Sequence, residues 1–362
     1  MIRKPIIILL LISVSVLNAQ HYPEVTIPNS QVRKITSTIV TGQEYELQIS
    51  LPSSYENSTK KYPVVYVMDS QWDFPLVKSI YGEQYYDGFI PEMIIVGVTW
   101  GGENPNADVL RARDYTPTND GREVETGGAD KFLEVMKKEL FPFIESNYRA
   151  ENSNRTLMGC SLGGLFTLYT FFSHTDMFTG YVAASPAVAW DNGVLYQLEK
   201  AFREKQKVNS VRVYMTVGDV ELGKLFYQEF AEKMMNKNYK NVQLHSKILE
   251  NTGHSGTKNE TYSRGLQYVF TRNQLRLSDK ELNKYIGFYQ LENGDKVEIK
   301  KENNELKLDL PQYSVPLLVN SESHFYATFS FFNLHFKEQN NIIEGFDLIT
   351  YGNMQTFQKV KE

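Results

Sequence analysis

A serine, a carboxylate and a histidine that meet in space can cleave an acyl bond: the serine attacks, the histidine takes its proton, and the carboxylate orients the histidine. This sequence offers a serine in a suggestive setting, Gly159-Cys160-Ser161-Leu162-Gly163. A sharp turn between a strand and a helix forces the central serine into a strained backbone conformation. Such a turn tolerates little bulk two residues away on either side, which Gly159 and Gly163 satisfy. The helix that follows would aim its positive end, and the free N–H of Leu162, at a developing oxyanion.

Partners for Ser161 must lie downstream on loops at the C-terminal ends of strands, in the order serine, acid, histidine. Of six histidines, His254 is the one so placed, in Asn251-Thr252-Gly253-His254-Ser255-Gly256 just beyond a strand ending at Leu249. The acid should follow the strand Val211 to Val217, where Asp219 and Glu221 both stand, and either could instead cap the next helix. A second oxyanion donor is expected from a backbone N–H in the loop Asp69-Ser70-Gln71-Trp72, with Gln71 chosen. Cys160 is read as a small buried apolar residue rather than a nucleophile.

The elements that would position these groups follow from the hydrophobic pattern. Tyr62 to Met68 and Met93 to Thr99 are continuous apolar runs of strand length, and Thr156 to Met158, Tyr181 to Ala184, Val211 to Val217 and Val242 to Leu249 are read as further strands. Lys34 to Ile39 and Tyr45 to Leu51 alternate like half-buried antiparallel strands. Gly128 to Tyr148 has helical periodicity, and a helix is expected to open at Gly164. Strands alternating with helices predict an α/β fold with a doubly wound, mostly parallel sheet over residues 20–272. A linker with a short helix over 273–284 then leads to a small all-β domain at 285–362. Its strands are marked by Val297/Ile299, Leu306/Leu308/Leu310, Phe329/Phe331, Leu334/Phe336 and Phe346/Leu348, with turns at Asn293-Gly294-Asp295, Asn303-Asn304 and Asn340-Asn341.

The chain has 362 residues, 41% of them hydrophobic, which is ample for a sizeable core. Its net charge of −5 and lack of long Lys/Arg runs give no electrostatic footprint for nucleic acid. Arg3 and Lys4, an apolar run from Ile6 to Leu17, and Ala19 predict a signal peptide over residues 1–19, hence export to the periplasm or beyond. The run is too short to span a bilayer and none follows, so no integral span is expected after its removal.

The segments Tyr66-Val-Met-Asp-Ser-Gln-Trp-Asp-Phe74, Arg111-Ala-Arg-Asp-Tyr-Thr-Pro117, Gly127-Gly-Ala-Asp-Lys-Phe132, Leu140-Phe-Pro-Phe-Ile-Glu145, Arg155 to Leu165 and Ser185-Pro-Ala187 resemble, in order, an esterase family of α/β-hydrolases. Its members include enterochelin-type siderophore esterases, feruloyl and acetyl-xylan esterases and the mycolyltransferases. The resemblance covers roughly residues 30 to 270 and implies Ser161 as nucleophile and His254 as base. Glu221-Leu-Gly223 is similar to the acid loop of the mycolyltransferase branch, which implies Glu221 as the acid. Cys160 stands where relatives often have His, and Ser70 where Gly is usual.

The expected activity is therefore hydrolysis of a small-molecule carboxylic ester, siderophore-type or carbohydrate-linked, through an acyl-enzyme and without a cofactor. An acyltransferase on the same scaffold and a non-catalytic binding module are the alternatives. Arg111, beside Arg113 and Asp114, could face an anionic substrate, but the expectation is a buried Arg–Asp pair that fixes the loop over the sheet. The aromatics Trp72, Phe74, Tyr81, Tyr85, Tyr86, Phe89, Trp100 and Trp190 are expected on loops.

Overall fold

The computed structural model describes residues 25–121, 125–204, 209–237, 239–272, 274–327, 332–350 and 353–360. The expected signal peptide and the Phe329/Phe331 strand lie outside these residues. The first domain is one eight-stranded sheet in the order β1-β2-β4-β3-β5-β6-β7-β8. β1 (Ser30–Thr36) and β2 (Glu44–Ser50) pair antiparallel, and β2 runs antiparallel to β4 (Ile94–Trp100). From β4 onward through β3 (Tyr62–Val67), β5 (Ala150–Cys160), β6 (Gly180–Ala184), β7 (Val211–Gly218) and β8 (Val242–Leu249), all neighbours are parallel. β3, β4 and β6 are buried along their whole length, so their sequences are continuous rather than alternating apolar runs.

Helices cover both faces: α1 (Ser70–Tyr86), α2 (Ala107–Tyr115), α3 (Ala129–Val135), α4 (Phe141–Asn147), α5 (Leu162–Ser173), α6 (Trp190–Arg203), α7 (Lys224–Met235) and α8 (Thr257–Val269). Several elements depart from expectation. β1 starts and ends earlier than Lys34 to Ile39. β5 is eleven residues long: Ala150 pairs with Tyr62 of β3, the register shifts across the polar residues 151–154, and pairing resumes at Arg155 opposite Val64. The expected helix over Gly128 to Tyr148 is broken by a π-helical stretch, Met136–Leu140, in which Phe141 N–H reaches back five residues to Met136 O. Pro142, which has no N–H to give, follows at the start of α4 and is compatible with that wider turn. Trp72, Phe74, Tyr81, Tyr85 and Tyr86 lie on α1 rather than a loop, and Phe74 and Tyr81 are core residues. Pro75 sits inside that helix, where it has no N–H to give to the preceding turn.

A buried carboxylate anchors α2 against the sheet. Asp114 accepts hydrogen bonds from Tyr45 Oη at 2.9 Å and Trp100 Nε1 at 2.8 Å, and pairs with Arg113 at 2.7 Å.

Beyond α8, Ser278 caps a short helix, α9 (Asp279–Leu282), in a reciprocal bond with Glu281. The chain then forms a closed eight-stranded antiparallel barrel in the order β10-β11-β12-β13-β14-β15-β16-β9. Its strands are β9 (Gly287–Gln290), β10 (Lys296–Glu302), β11 (Glu305–Asp309), β12 (Ser314–Ser321), β13 (His324–Tyr326), β14 (Asn333–Gln339), β15 (Ile342–Thr350) and β16 (Asn353–Lys359). Asn303, Asn304, Asn340 and Asn341 all have positive φ, as tight hairpin turns require. The interior is filled by side chains including Tyr285, Tyr289, Phe325, Phe336 and Phe346.

Replacing Asp114 by Ala would strand buried donors from three residues and leave Arg113 without its partner. We expect the substitution to destabilise the first domain by about 3–5 kcal/mol, read as a lowered midpoint in urea. A change below about 1 kcal/mol would mean that the network contributes no more than a surface pair.

Candidate active site

Ser161 sits at the tip of the turn between β5 and α5 with φ 60° and ψ −115°. This strained backbone is pinned by neighbours on the sheet: Ser161 N–H donates to Ala184 O at 3.0 Å, and Ala187 N–H donates to Ser161 O at 3.1 Å. The flanking glycines are a packing requirement. A Cβ at Gly159 would lie 2.7 Å from the Gly163 backbone, and one at Gly164 would lie 3.0 Å from Ala184 O. α5 begins at Leu162, two residues before the expected start, because Ser161 occupies its N-cap position.

The loops after β6, β7 and β8 converge beside this turn. Glu221, after β7, has a largely buried side chain, and its Oε2 lies 2.6 Å from Nδ1 of the half-exposed His254. Its Oε1 accepts from Ser185 Oγ at 2.5 Å and from Gly218 N–H at 2.7 Å. Thr257 Oγ1 donates to His254 O at 2.7 Å and lies 2.8 Å from Ser185 Oγ. The histidine loop is therefore held at its ring and at its backbone. Gly218 permits this approach, since a Cβ there would lie 2.0 Å from Thr252 O. Asp219, the other acid considered, turns away: its Oδ1 accepts from Thr252 N–H at 3.1 Å. Backbone N–H donors from Thr252 and Asn251 hold its carboxyl below the usual aspartate range.

Ser161 and His254 line one small cleft of about 310 Å³ together with Asp69, Trp72, Arg111, Cys160, Ser255 and Lys258. Among the described residues Ser161 Oγ has no hydrogen-bond partner, so the contact with His254 that proton transfer requires is not closed in this state. Leu162 and Gln71 each occupy the first turn of a helix, α5 and α1, where backbone N–H groups have no acceptor within the helix. The Gln71 side chain points away from the cleft, its Oε1 accepting from Thr99 Oγ1 at 2.7 Å.

Two cations form one wall of the cleft. Arg111 makes a bidentate pair with buried Asp69, at 2.9 and 2.7 Å, rather than with Asp114. Burial pushes the Asp69 carboxyl up, and Arg111 opposes that shift. Lys258, on α8, donates to buried Asp73 at 2.6 Å, which also accepts from Tyr262 Oη at 2.6 Å. Sequence reasoning missed Lys258 because its partner lies 185 residues away on α1; only its spacing of four from His254 hinted that it faces the same side.

Apolar cavities flank the cleft. One of about 440 Å³ is lined by Pro186, Val188, Val217, Val220, Leu222 and Phe226 beside Glu221 and His254. Another of about 270 Å³ lies against Leu162, Val109 and Trp190. Among the described residues no group of three or more His, Cys, Asp or Glu side chains is arranged to hold a metal ion, and no helix is long and apolar enough to cross a membrane.

Comparison with known proteins agrees with this architecture. Over 211 residues the chain is 30% identical to the ferri-bacillibactin esterase BesA of Bacillus subtilis, covering 54% of this chain and 72% of that one. It is 27% identical over 191 residues to the siderophore triacetylfusarinine C esterase of Aspergillus fumigatus, covering 51% of this chain and 65% of that one. Among solved structures, the BES protein of Bacillus cereus superposes with a TM-score of 0.61 at 26% identity, over 69% of this chain and 97% of that one. An IroE-like serine hydrolase from Shewanella oneidensis gives 0.60 at 26%, over 71% and 83%. The model of the family described as "Putative esterase" matches residues 38–265, which is most of the first domain, and the chain belongs to that family of α/β-hydrolases.

Proposed function

We propose that this protein is an exported serine hydrolase that cleaves siderophore-type carboxylic esters through an acyl-enzyme on Ser161. The observation that carries the reading is the 2.6 Å contact between His254 Nδ1 and Glu221, made by a histidine that shares its cleft with a strained, glycine-flanked serine. With Nδ1 held by the carboxylate, Nε2 is the ring nitrogen left to accept a proton. His254 Nε2 takes the Ser161 proton as Oγ attacks the ester carbonyl, and the imidazolium that forms is stabilised by Glu221. The carbonyl oxygen becomes an oxyanion beside the N–H groups of Leu162 and Gln71. His254 then returns the proton to the leaving alcohol, and water repeats the cycle to free the acid. An apo-state gap between serine and histidine that closes on substrate binding is common for such pairs.

The substrate class rests on the relatives, two of which are named for siderophore esters. Arg111 and Lys258, each already paired with a buried carboxylate, offer such an ester hydrogen-bond donors beside its scissile bond rather than net positive charge. In this reading residues 1–19 are removed on export to the periplasm or beyond.

Intact-mass analysis after exposure to a fluorophosphonate should give one adduct on the wild-type protein and none on Ser161→Ala, and Ser161→Ala should lose hydrolysis of ferri-bacillibactin. A folded wild-type protein that takes up no probe would sink the proposal.

The acid is tested by a ranking. Glu221→Gln should lower kcat by about 10³- to 10⁴-fold, whereas Asp219→Asn should cost less than about tenfold; the reverse order would reassign the role.

Cys160, the neighbouring candidate nucleophile, should be inert. Burial pushes its thiol up to about 12, so it stays protonated at every pH well below that value. Iodoacetamide at mildly alkaline pH should leave it unmodified in the native protein and alkylate it only after denaturation. Rapid native alkylation would contradict this assignment.

A further inference from the structure

A second cavity, about 720 Å³ in volume, lies between the two domains and is larger than the catalytic cleft. On the hydrolase side it is lined by residues at the N-terminal ends of the parallel strands, including Asn154, Thr179, Arg212 and Gln243. Ser161 lies at the opposite, C-terminal ends, roughly 20 Å away given about 3.3 Å per strand residue. The two sites are therefore distinct.

Arg272, where the hydrolase domain hands over to the barrel, lines this cavity. Its guanidinium donates to Gly88 O at 3.1 Å and stacks 4.6 Å from the Tyr326 ring centroid. Among the described residues no carboxylate lies within ion-pair distance of it, although burial disfavours its charge. A partly buried cation without a counter-charge is costly, and a site that retains one is short of an anion.

The barrel supplies the facing wall. His324 on β13 and His335 on β14 are directly opposite in the strand pairing, their ring centroids 4.1 Å apart. His324 Nε2 is shielded from solvent without a close hydrogen-bond partner among the described residues, while Asn320 Nδ2 approaches Nδ1 at 3.4 Å and the Asn333 side chain also acts on the ring. Burial, with His335 and Arg272 adding to it, holds His324 neutral, down to about 4. Of the two acids on the lining, Glu92 is neutralised by Lys60 at 2.5 Å, whereas Glu151 accepts from Ser153 Oγ at 3.4 Å and keeps its charge at the rim. Besides Arg272 the lining carries a second guanidinium, Arg212, which donates to Gln243 Oε1 at 3.0 Å and to Val269 O at 3.1 Å; an occupant also meets imidazole and amide groups and an apolar strip at Ile90 and Phe270.

We propose that this interdomain cavity binds a small organic anion, a carboxylate or phosphate ester, held between Arg272 and the His324/His335 pair. The anionic oxygens supply the missing partner to Arg272 and accept from an imidazole N–H, and the organic body rests on the apolar strip. Because its two walls come from different domains, the ligand would bridge them.

Isothermal titration of the full chain with citrate, benzoate and inorganic phosphate, against chloride at matched ionic strength, tests the proposal. We expect saturable one-to-one binding of at least one of the organic anions, weakened about tenfold or more in Arg272→Gln through loss of a charge-assisted bond. Phosphate binding alone would overturn the organic part of the proposal and leave a bare oxyanion site. Lys258→Met, in the catalytic cleft, should leave the affinity unchanged; if it abolishes binding, the anion sits in that cleft and the proposal fails. Arg272 also touches Tyr326, so Arg272→Gln could disturb docking of the domains. His324→Gln is the second probe and should weaken binding while the thermal midpoint without ligand stays close to that of the wild type. Binding by neither organic anion, or equal affinity in both variants, would reduce Arg272 to a docking residue.

Discussion

The carboxylate of Glu221 is the tie on which the catalytic end of the sheet depends. It accepts from Ser185 after β6, from the backbone of Gly218 at the end of β7, and meets His254 after β8. Three loops from three adjacent parallel strands thus converge on two oxygen atoms. Charge-assisted bonds of this kind are among the stronger ones a protein makes. Adjacent parallel strands end at the same edge of the sheet, so short loops suffice to bring these groups together. The strained turn at Ser161 is fastened to the same edge through Ala184 and Ala187, which flank the Ser185 that serves Glu221. Serine and histidine are therefore referred to one frame even though their own contact is open.

The cationic wall follows a parallel logic. Asp69 and Asp73 are almost wholly buried, and each fixes one cation over the cleft, Arg111 and Lys258 respectively. Removing either partner of such a pair strands a charge away from water, so the long basic side chains hold their positions. Asp69 has a second structural role. Its left-handed backbone, φ 54°, starts α1, and its N–H donates to the Tyr115 hydroxyl oxygen at 3.1 Å. One residue thus sets both the start of the α1 first turn and the position of Arg111.

Much of this was legible in the sequence, because the signals were local. The elbow needs small residues at fixed offsets, and fully buried strands show as short unbroken apolar runs, so β3, β4 and β6 were legible close to their true limits, as were β7 and the more exposed, partly polar β8. The Asn pairs at 303–304 and 340–341 marked hairpins because few other residues tolerate positive φ. What escaped reading was non-local. α1 carries Pro75 within it, and the polar residues 151–154 of β5 fall at a register shift, where the strand continues without pairing to β3. The pairing of Arg111 with Asp69 spans 42 residues and that of Lys258 with Asp73 spans 185, separations at which spacing carries no information. Asp219 and Glu221 could not be separated by local pattern, since both follow β7; only the geometry puts the backbone of Thr252 against one and His254 against the other.

The barrel raises a different question, since eight antiparallel strands can enclose a ligand or be filled by their own side chains. Here Tyr285, Phe325 and Phe336 stack at the centre with centroids under 5 Å apart, and Tyr289, Phe346 and Phe357 continue the packing. Among the described residues, rings at this spacing fill the centre of the barrel. Any binding contribution it makes must come from its outer surface. The outward-facing His324 and His335 lie where that surface meets the hydrolase domain. A closed barrel has no free strand edge with which to pair, so it must attach through side chains. Arg272, stacked on Tyr326 and bonded to Gly88, is one such attachment and lines the interdomain cavity as well. Attachment and cavity share a residue, and that couples whatever occupies the cavity to how firmly the two domains hold together.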